Sequence, residues 1–291
     1  MSTVYLNGVY LPREEARVPV DDRGFTFGDG VYEVIRAHDG RLFEGGAHLE
    51  RLERGLRALE IAGGEEAEPG SLLSITERLL DENELREGHA TVYVQVTRGT
   101  APRTHYFPRT PVRPTVYLSV ARFTPPDEQC ARGVEAITLA DIRWARCDLK
   151  TVNLLPNVLA KQKAVASGAM EALLVRDGVV TEGSHTTVFA VLDGELRTHP
   201  RSPYVLPGIT RDVLLRIAGE RGIPAAEAPI LAEELERAEE IFVCGTTMDV
   251  TPVVRLDGRP VADGRPGPIT RILYEALQER IRGVAHVAAS R

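Results

Sequence analysis

The sequence predicts a mixed α/β (α+β) protein of two domains, a small N-terminal α+β unit and a larger, strand-rich C-terminal unit. Three observations predict it. The chain has 291 residues, 43% of them hydrophobic, which suffices for two ordinary cores. Short alternating runs punctuated by Asn-Gly and Asp-Gly pairs are interleaved with stretches of helical periodicity. The stretch Phe123–Glu128 (FTPPDE) puts paired prolines where neither a helix nor a central strand can run. The expected division is therefore 1–122, a linker at 123–128, and 129–291.

In chain order, Val4 and Leu6 lead into Asn7-Gly8 and then Val9 and Leu11, a hairpin signal. Residues 30–37, the pair Asp39-Gly40, and Leu42-Phe43 form a second. Between them lies DDRGFTFGDGVYE, with Gly24, Gly28 and Gly30 in one span. It has neither the GxGxxG spacing nor a Walker lysine, so it is no phosphate loop. The glycines predict a sharp backbone path that presents Tyr32 at a strand start, where the ring is either sheet filler or a site residue. From Ala47, Leu49, Leu52, Leu56 and Leu59 recur at helical spacing, and Arg51 reads there as a solvated-face residue. A second amphipathic helix is predicted over Ser71–Leu85, begun by its serine.

Residues 91–97 alternate as a strand and run into RGTAPRTHYFP. Arg98, Arg103 and His105 gather there around Gly99 and Pro102. Guanidinium groups on a stiff loop suit a carboxylate, which one can bind with two parallel hydrogen bonds; a basic surface loop is the alternative. Val116–Val120 is another strand. Beyond the prolines, strands are predicted over residues 134–139, 172–175, 179–180, 188–192 and 241–244. Asp177-Gly178, Asp193-Gly194 and Asp257-Gly258 are their turns.

Lysine usage singles out one stretch, DIRWARCDLKTVNLLPN. Of 35 basic residues only Lys150, Lys161 and Lys163 are lysines. Arginine stays charged, whereas a lysine can lose its proton and attack a carbonyl. Lys150 falls between a predicted strand (134–142) and a predicted helix (156–167), beside Leu149, Leu154 and Leu155, where desolvation could free its amine; a chance exposed lysine fits equally. Lys161 and Lys163 lie on a helical pattern with Val158, Leu159 and Val165 and read as solvated. Glu182 and Ser184 form a polar corner in VVTEGSHTTVF, either a turn or a carboxylate for a protonated nitrogen. Pro207-Gly208 precedes a helix over about 209–217, whose first N–H groups and Thr210 hydroxyl could hold an anion or merely begin a helix. Gly245, Thr246 and Thr247 follow a strand end.

The formal charge of −7 argues against nucleic acid or an anionic membrane as partner. No apolar run approaches the ~20 residues that span a bilayer, and the first residues lack a signal-peptide layout, so a cytoplasmic protein is expected. Cys130, Cys147 and Cys244 have neither disulfide nor metal-knuckle spacing.

One cofactor needs an amine, a carboxylate for a pyridinium nitrogen and a phosphate site: pyridoxal phosphate. Lys150, Glu182 and the Thr210 helix start offer one of each. The stretches DRGFTFGDGVYEVIR, HLERL, VTRGTAPRTHYFP, DIRWARCDLKTVNLL, TEGSHTTVF, THP, LPGITRDV and TTMDVTPV, in this order, resemble the fold-type IV pyridoxal-phosphate aminotransferases, most of all the bacterial D-amino-acid aminotransferases. The resemblance implies the family's two-domain fold with a pseudo-barrel C-terminal domain, and a homodimer with its active site at the domain and subunit interface. It implies Lys150 as Schiff-base lysine and acid/base, and Glu182 at the pyridine nitrogen. It implies Arg51, the Ile209 and Thr210 amides and Thr246 around the phosphate, with Leu206 on the ring. Tyr32, Arg103 and His105 match the trap for the substrate carboxylate, the last two from the partner subunit. Thr187 stands where the family has asparagine, and Gly245 where close relatives have serine. The implied reaction is transamination between a D-amino acid, D-alanine or D-glutamate in type, and 2-oxoglutarate or pyruvate. A branched-chain L-amino-acid aminotransferase and an aminodeoxychorismate-type lyase are the alternatives.

Overall fold

Five dipeptides set much of the local strand order. In the computed structural model, which describes residues 2–286, Asn7-Gly8, Asp39-Gly40, Asp177-Gly178, Asp193-Gly194 and Asp257-Gly258 all have positive φ at both residues. That pair of left-handed residues makes a two-residue turn whose twist matches its strands. Each of the five joins antiparallel neighbours.

One compact unit gathers Met1–Thr124 and Leu149–Asn153. Its antiparallel sheet has strands β1 (Thr3–Leu6), β2 (Val9–Pro12), β3 (Gly30–His38), β4 (Arg41–Leu42), β5 (His89–Thr97) and β6 (Thr115–Arg122), in the order β2-β1-β6-β5-β3-β4. Alternation sends Val31, Ile35 and Ala37 of β3 and Val92, Val94 and Val96 of β5 into one core. They meet Leu49, Leu52 and Leu56 of helix Gly45–Ala58 and Leu72, Leu79 and Leu80 of helix Pro69–Glu82. The second helix departs from the expected Ser71–Leu85. It begins at Pro69, whose fixed φ and missing N–H suit a first turn, and no side chain caps it.

The glycine-rich span contains a short helix, Arg23–Phe27, that periodicity could not show in five residues. The Asp22 carboxylate accepts from Gly24 N at 2.8 Å to begin it, and Gly28 ends it at φ 68°. A Cβ on Gly28 would also stand 2.3 Å from Asn153 Oδ1, so glycine is required there on two counts.

The other unit holds Pro125–Asp148 and Leu154–Gly283. The chain thus divides between Thr124 and Pro125, and the Lys150 segment groups with the first unit. A short helix, Asp127–Arg132, starts directly after the paired prolines, inside the stretch read as linker. The second sheet is mixed, with strands β7 (Val134–Ala140), β8 (Glu171–Arg176), β9 (Val179–Gly183), β10 (Thr187–Leu192), β11 (Glu195–Thr198), β12 (Ala225–Glu227), β13 (Ile230–Leu231), β14 (Glu240–Gly245), β15 (Asp249–Leu256) and β16 (Arg259–Pro260). Their order is β12-β11-β10-β14-β15-β7-β8-β9-β13, with β16 on β15. Its core joins Leu173, Val188, Ala190, Leu192, Ile241 and Val243.

Helix Leu155–Ala166 corrects one expectation. It buries Ala160 and Ala164, while Leu155, Val158, Leu159 and Val165 are exposed. Lys161, read as solvated, donates from Nζ to the Met170 carbonyl, whereas Lys163 is exposed as expected. Helix Ile209–Glu220 begins where the sequence placed it. Helix Pro268–His286 was not anticipated, although Leu273, Leu277 and Ile281 are buried at helical spacing. Among the described residues no helix is long and apolar enough to cross a membrane.

Candidate active site

The candidate residues fall into two sets, one in each unit. In the first, residues 149–153 run beside the start of β3. Tyr32 N donates to Lys150 O at 3.0 Å, Val152 N to Gly30 O at 3.1 Å, and Asn153 Nδ2 to Gly28 O at 3.0 Å. This lacing fixes the backbone of Lys150 relative to Tyr32, and the Lys150 Nζ stands 4.3 Å from the centroid of the Tyr32 ring. Tyr32 and Lys150 are both half-buried, so Lys150 is not fully solvated.

Glu33, the next residue, faces the core between Val31 and Ile35 and is fully buried. A carboxylate there needs paired donors. Helix Gly45–Ala58 supplies them: Arg51 donates from Nε at 2.6 Å and Nη2 at 2.8 Å, and His48 Nδ1 stands 2.8 Å from Oε2. Arg51 is therefore buried, and its reading as a solvated-face residue is corrected. Burial alone would raise the Glu33 pKa; Arg51 outweighs it, with smaller help from His48 and Lys150, and brings it down to about 2. Burial pushes the His48 pKa down. A carboxyl depressed in the folded state stabilises the fold above its ordinary pKa of 4.5 and loses that contribution as pH falls toward 2. Glu33→Gln should lower the thermal midpoint at neutral pH, with the gap to the parent closing below about pH 4.5. Calorimetry across that range checks it; a gap independent of pH would contradict it.

Arg103 and His105 are exposed and flank the Phe27 ring. The Arg103 Cζ lies 4.9 Å from its centroid, and the His105 ring centroid lies 5.6 Å away. Arg98, grouped with them by sequence, points elsewhere: it is buried and grips Asp29.

In the second unit, Glu182 ends its side chain in a buried pocket of donors. Arg143 Nη1 donates to Oε1 and the Leu206 amide donates to Oε2 at 2.9 Å. Arg143 is itself held by Asp141 through Nε at 2.9 Å and Nη2 at 2.8 Å, and by the Tyr204 carbonyl at 3.1 Å. Burial pushes the Glu182 carboxyl up against the pull of Arg143 and the Leu206 amide. Asp141 is brought down to about 2, since Arg143 overcomes its burial. One face of the turn after Glu182 is tied to Glu171, which accepts from Ala172 N at 2.8 Å, Ser184 N at 3.2 Å, the Ser184 hydroxyl and Thr186 Oγ1 at 2.9 Å.

Leu206 leads to Gly208, which stands before helix Ile209–Glu220 with no side chain capping it. A Cβ on Gly208 would lie 2.7 Å from Thr187 Oγ1. Thr187 pairs with Cys244 in register, and Gly245 and Thr246 follow. The helix start with Thr210, the Thr187 hydroxyl and the β14 end thus converge. A helix start without a side-chain cap is suited to an anion.

The sequence did not point to the side chains that surround these candidates: Glu33, His48, Asp141, Arg143 and Glu171. A signal existed for Glu33, a charged residue at a core-facing position of an alternating strand. Glu171 and Arg143 gave none: Arg143 meets Glu182 and Tyr204, and Glu171 meets Ser184 and Thr186, across 13 to 61 residues of chain.

The model of the family "Amino-transferase class IV" matches residues 30–256. The D-alanine aminotransferase of Staphylococcus haemolyticus is 42% identical over 281 residues, covering 97% of this chain and 98% of that protein. The branched-chain aminotransferase of Thermoproteus uzoniensis, solved with norvaline, superposes with a TM-score of 0.87 at 28% identity, covering 98% of this chain and 96% of that one. The branched-chain amino acid aminotransferase of T.th., solved with pyridoxamine 5'-phosphate, gives the same TM-score, identity and coverage. A family model spanning most of the chain and a relative this similar over nearly its full length show that the chain belongs to the class IV aminotransferases.

Proposed function

We propose that this chain transfers the amino group of a D-amino acid, D-alanine or D-glutamate in type, to a 2-oxo acid such as 2-oxoglutarate or pyruvate, with pyridoxal 5'-phosphate as cofactor. The observation that carries the reading is the Lys150 amine held over the Tyr32 ring at 4.3 Å. That places a nucleophilic nitrogen beside a phenol able to bind a substrate carboxylate.

The donor set fits the cofactor. Lys150 would be the attachment point, Glu182 would pair with the pyridine nitrogen, and Leu206 would pack on the ring. Arg51, the Ile209 and Thr210 amides and Thr246 would hold the phosphate; the uncapped helix start after Gly208 supports the Ile209 and Thr210 part of this assignment. When bound, pyridoxal phosphate supplies an electron sink that stabilises negative charge at the substrate α-carbon. Lys150 Nζ takes the α-proton and returns it, a role an arginine could not fill. Glu182 keeps a negative charge at the pyridine nitrogen, and Arg143 with the Leu206 amide keeps that carboxylate in place. Tyr32, Arg103 and His105 bind the substrate carboxylate. The exposure of Arg103 and His105 supports their delivery to a partner subunit in a homodimer. Three free, buried cysteines suit a reducing, cytoplasmic setting.

The D-preference rests on the RTH stretch, Arg103–His105, and on the similarity to D-alanine aminotransferases. A branched-chain L-specific enzyme is the rival, because solved branched-chain aminotransferases share the fold. Turnover with 2-oxoglutarate tests both: pyruvate from D-alanine alone is expected, and product from L-leucine alone would overturn the stereochemical reading.

Gly245 permits a further prediction. The nearest atom to a Cβ there is His185 O at 3.9 Å, so a serine fits. Its hydroxyl would add one donor beside the proposed phosphate site, worth about 1 kcal/mol. Gly245→Ser should therefore tighten pyridoxal phosphate about five-fold, measured by fluorescence titration. Unchanged affinity in a folded variant would argue against the phosphate lying at Gly245.

A further inference from the structure

The loop that carries Arg103 and His105 is tied down by charges that the reaction scheme does not use. Arg23 N donates to Gly99 O at 3.0 Å and Ala101 N to Asp21 O at 3.2 Å, so the loop runs alongside the segment around helix Arg23–Phe27. The Arg23 side chain is buried. Its Nε donates to Asp29 Oδ2 at 2.8 Å and its Nη1 to the carbonyl of Thr104 at 2.8 Å, the residue between Arg103 and His105. Asp29 also accepts from Arg98 Nε at 2.8 Å and Nη2 at 3.1 Å, and Arg98 is anchored to the Leu59 and Glu60 carbonyls at 2.6 and 2.8 Å. One carboxylate therefore orients two guanidinium groups, and one of these reaches the centre of the loop.

Phe27 completes the arrangement. The Arg23 Cζ lies 4.7 Å and the Arg103 Cζ 4.9 Å from its ring centroid, with His105 beside it. An aromatic face attracts a guanidinium without binding it covalently or neutralising it. An exposed arginine that must meet a carboxylate in one geometry otherwise spends its time among many rotamers, and the cost of ordering it falls on substrate binding.

We propose that Arg23 and Asp29 position the loop bearing Arg103 and His105, and that Phe27 is the resting face of the Arg103 guanidinium, together preorganising the substrate-carboxylate site. The proposal rests on the reading of Arg103 and His105 as carboxylate ligands. Arg23 anchors the backbone between the two ligands, Asp29 sets the Arg23 guanidinium, and Phe27 narrows the choices of Arg103. None of the three touches substrate. Their effect passes through substrate affinity, and a displacement of about 1 Å in such a group can cost on the order of a hundred-fold.

The test compares D-alanine with D-alaninamide, which has the same amine and α-proton but no carboxylate, in the holoenzyme. Arg23→Lys keeps a cation for Asp29 but is too short and singly headed to hold Thr104 as well. It should raise KM for D-alanine about ten-fold, leave kcat within about two-fold and leave the rate with D-alaninamide unchanged. Phe27→Leu, at a half-buried ring, should do the same more weakly. If Arg23→Lys does not fold, Phe27→Leu alone decides. Arg103→Ala is the reference. Loss of the preference for D-alanine in Arg103→Ala, with that preference intact in Arg23→Lys and Phe27→Leu, overturns the positioning role. Equal slowing of both substrates in Arg23→Lys also overturns it, as a general structural effect. A preference unchanged in Arg103→Ala overturns the carboxylate reading itself.

Discussion

Replacing Lys150 with alanine is expected to lower transamination by at least about 10⁴-fold, the upper range for loss of a positioned acid/base. The chain has no substitute amine to take over. Of its other two lysines, Lys161 is engaged with the Met170 carbonyl and Lys163 is exposed on the same helix. Lys150 is half-buried, and the contacts that fix its segment run through the backbone, so alanine preserves Tyr32 N–H donation to residue 150. Folding should survive. Lys150→Arg sharpens the case. It restores the positive charge over Tyr32 and beside Glu33 but cannot give up a proton near neutrality. If Lys150 acted only as a charge, arginine would rescue activity. The expected result in a single-turnover assay with D-alanine is that both variants are equally inactive.

Glu182→Gln should slow turnover on the order of 10²–10³-fold, as expected when one preorganised electrostatic partner is removed. The substitution keeps the shape, and the Leu206 amide can still donate to the new side-chain carbonyl. Arg143 keeps its two bonds to Asp141, so its guanidinium stays paired although its Nη1 loses the Oε1 acceptor. What disappears is the negative charge assigned to the pyridine nitrogen. Cofactor content, read by absorbance, should therefore stay near that of the parent while kcat falls. Parent-like kcat would refute that role, and loss of the cofactor would recast Glu182 as a holding residue.

Local chemistry made some of this molecule legible and geometry concealed the rest. The Asn-Gly and Asp-Gly turns were readable because two positive φ angles in succession demand those residues. Lys150 stood out because a chain that uses arginine almost everywhere kept only three lysines. Arg51 misled on local pattern alone: on a helix bearing leucines at regular spacing a charged residue reads as solvent-facing, and only Glu33, across on β3, makes its burial possible. Short strands such as β12, β13 and β16 carry too few side chains to show alternation. Helix Leu155–Ala166 inverted its expected face because its buried side is made of alanines. Asp141, Arg143 and Glu171 were invisible as site residues. Arg143 meets Glu182, and Glu171 the Ser184 hydroxyl, only when folding joins separated segments, and none of these residues carries a local mark of it.

The identity of one reactive amine is the point on which the proposed chemistry depends most. Borohydride reduction of the protein loaded with pyridoxal phosphate would fix the cofactor to its lysine as a stable secondary amine. With only Lys150, Lys161 and Lys163 to choose from, peptide mass mapping gives an unambiguous answer. A single pyridoxyl adduct on Lys150, absent in Lys150→Ala, is the predicted result. An adduct on Lys161 or Lys163, or one that persists in Lys150→Ala, would contradict it.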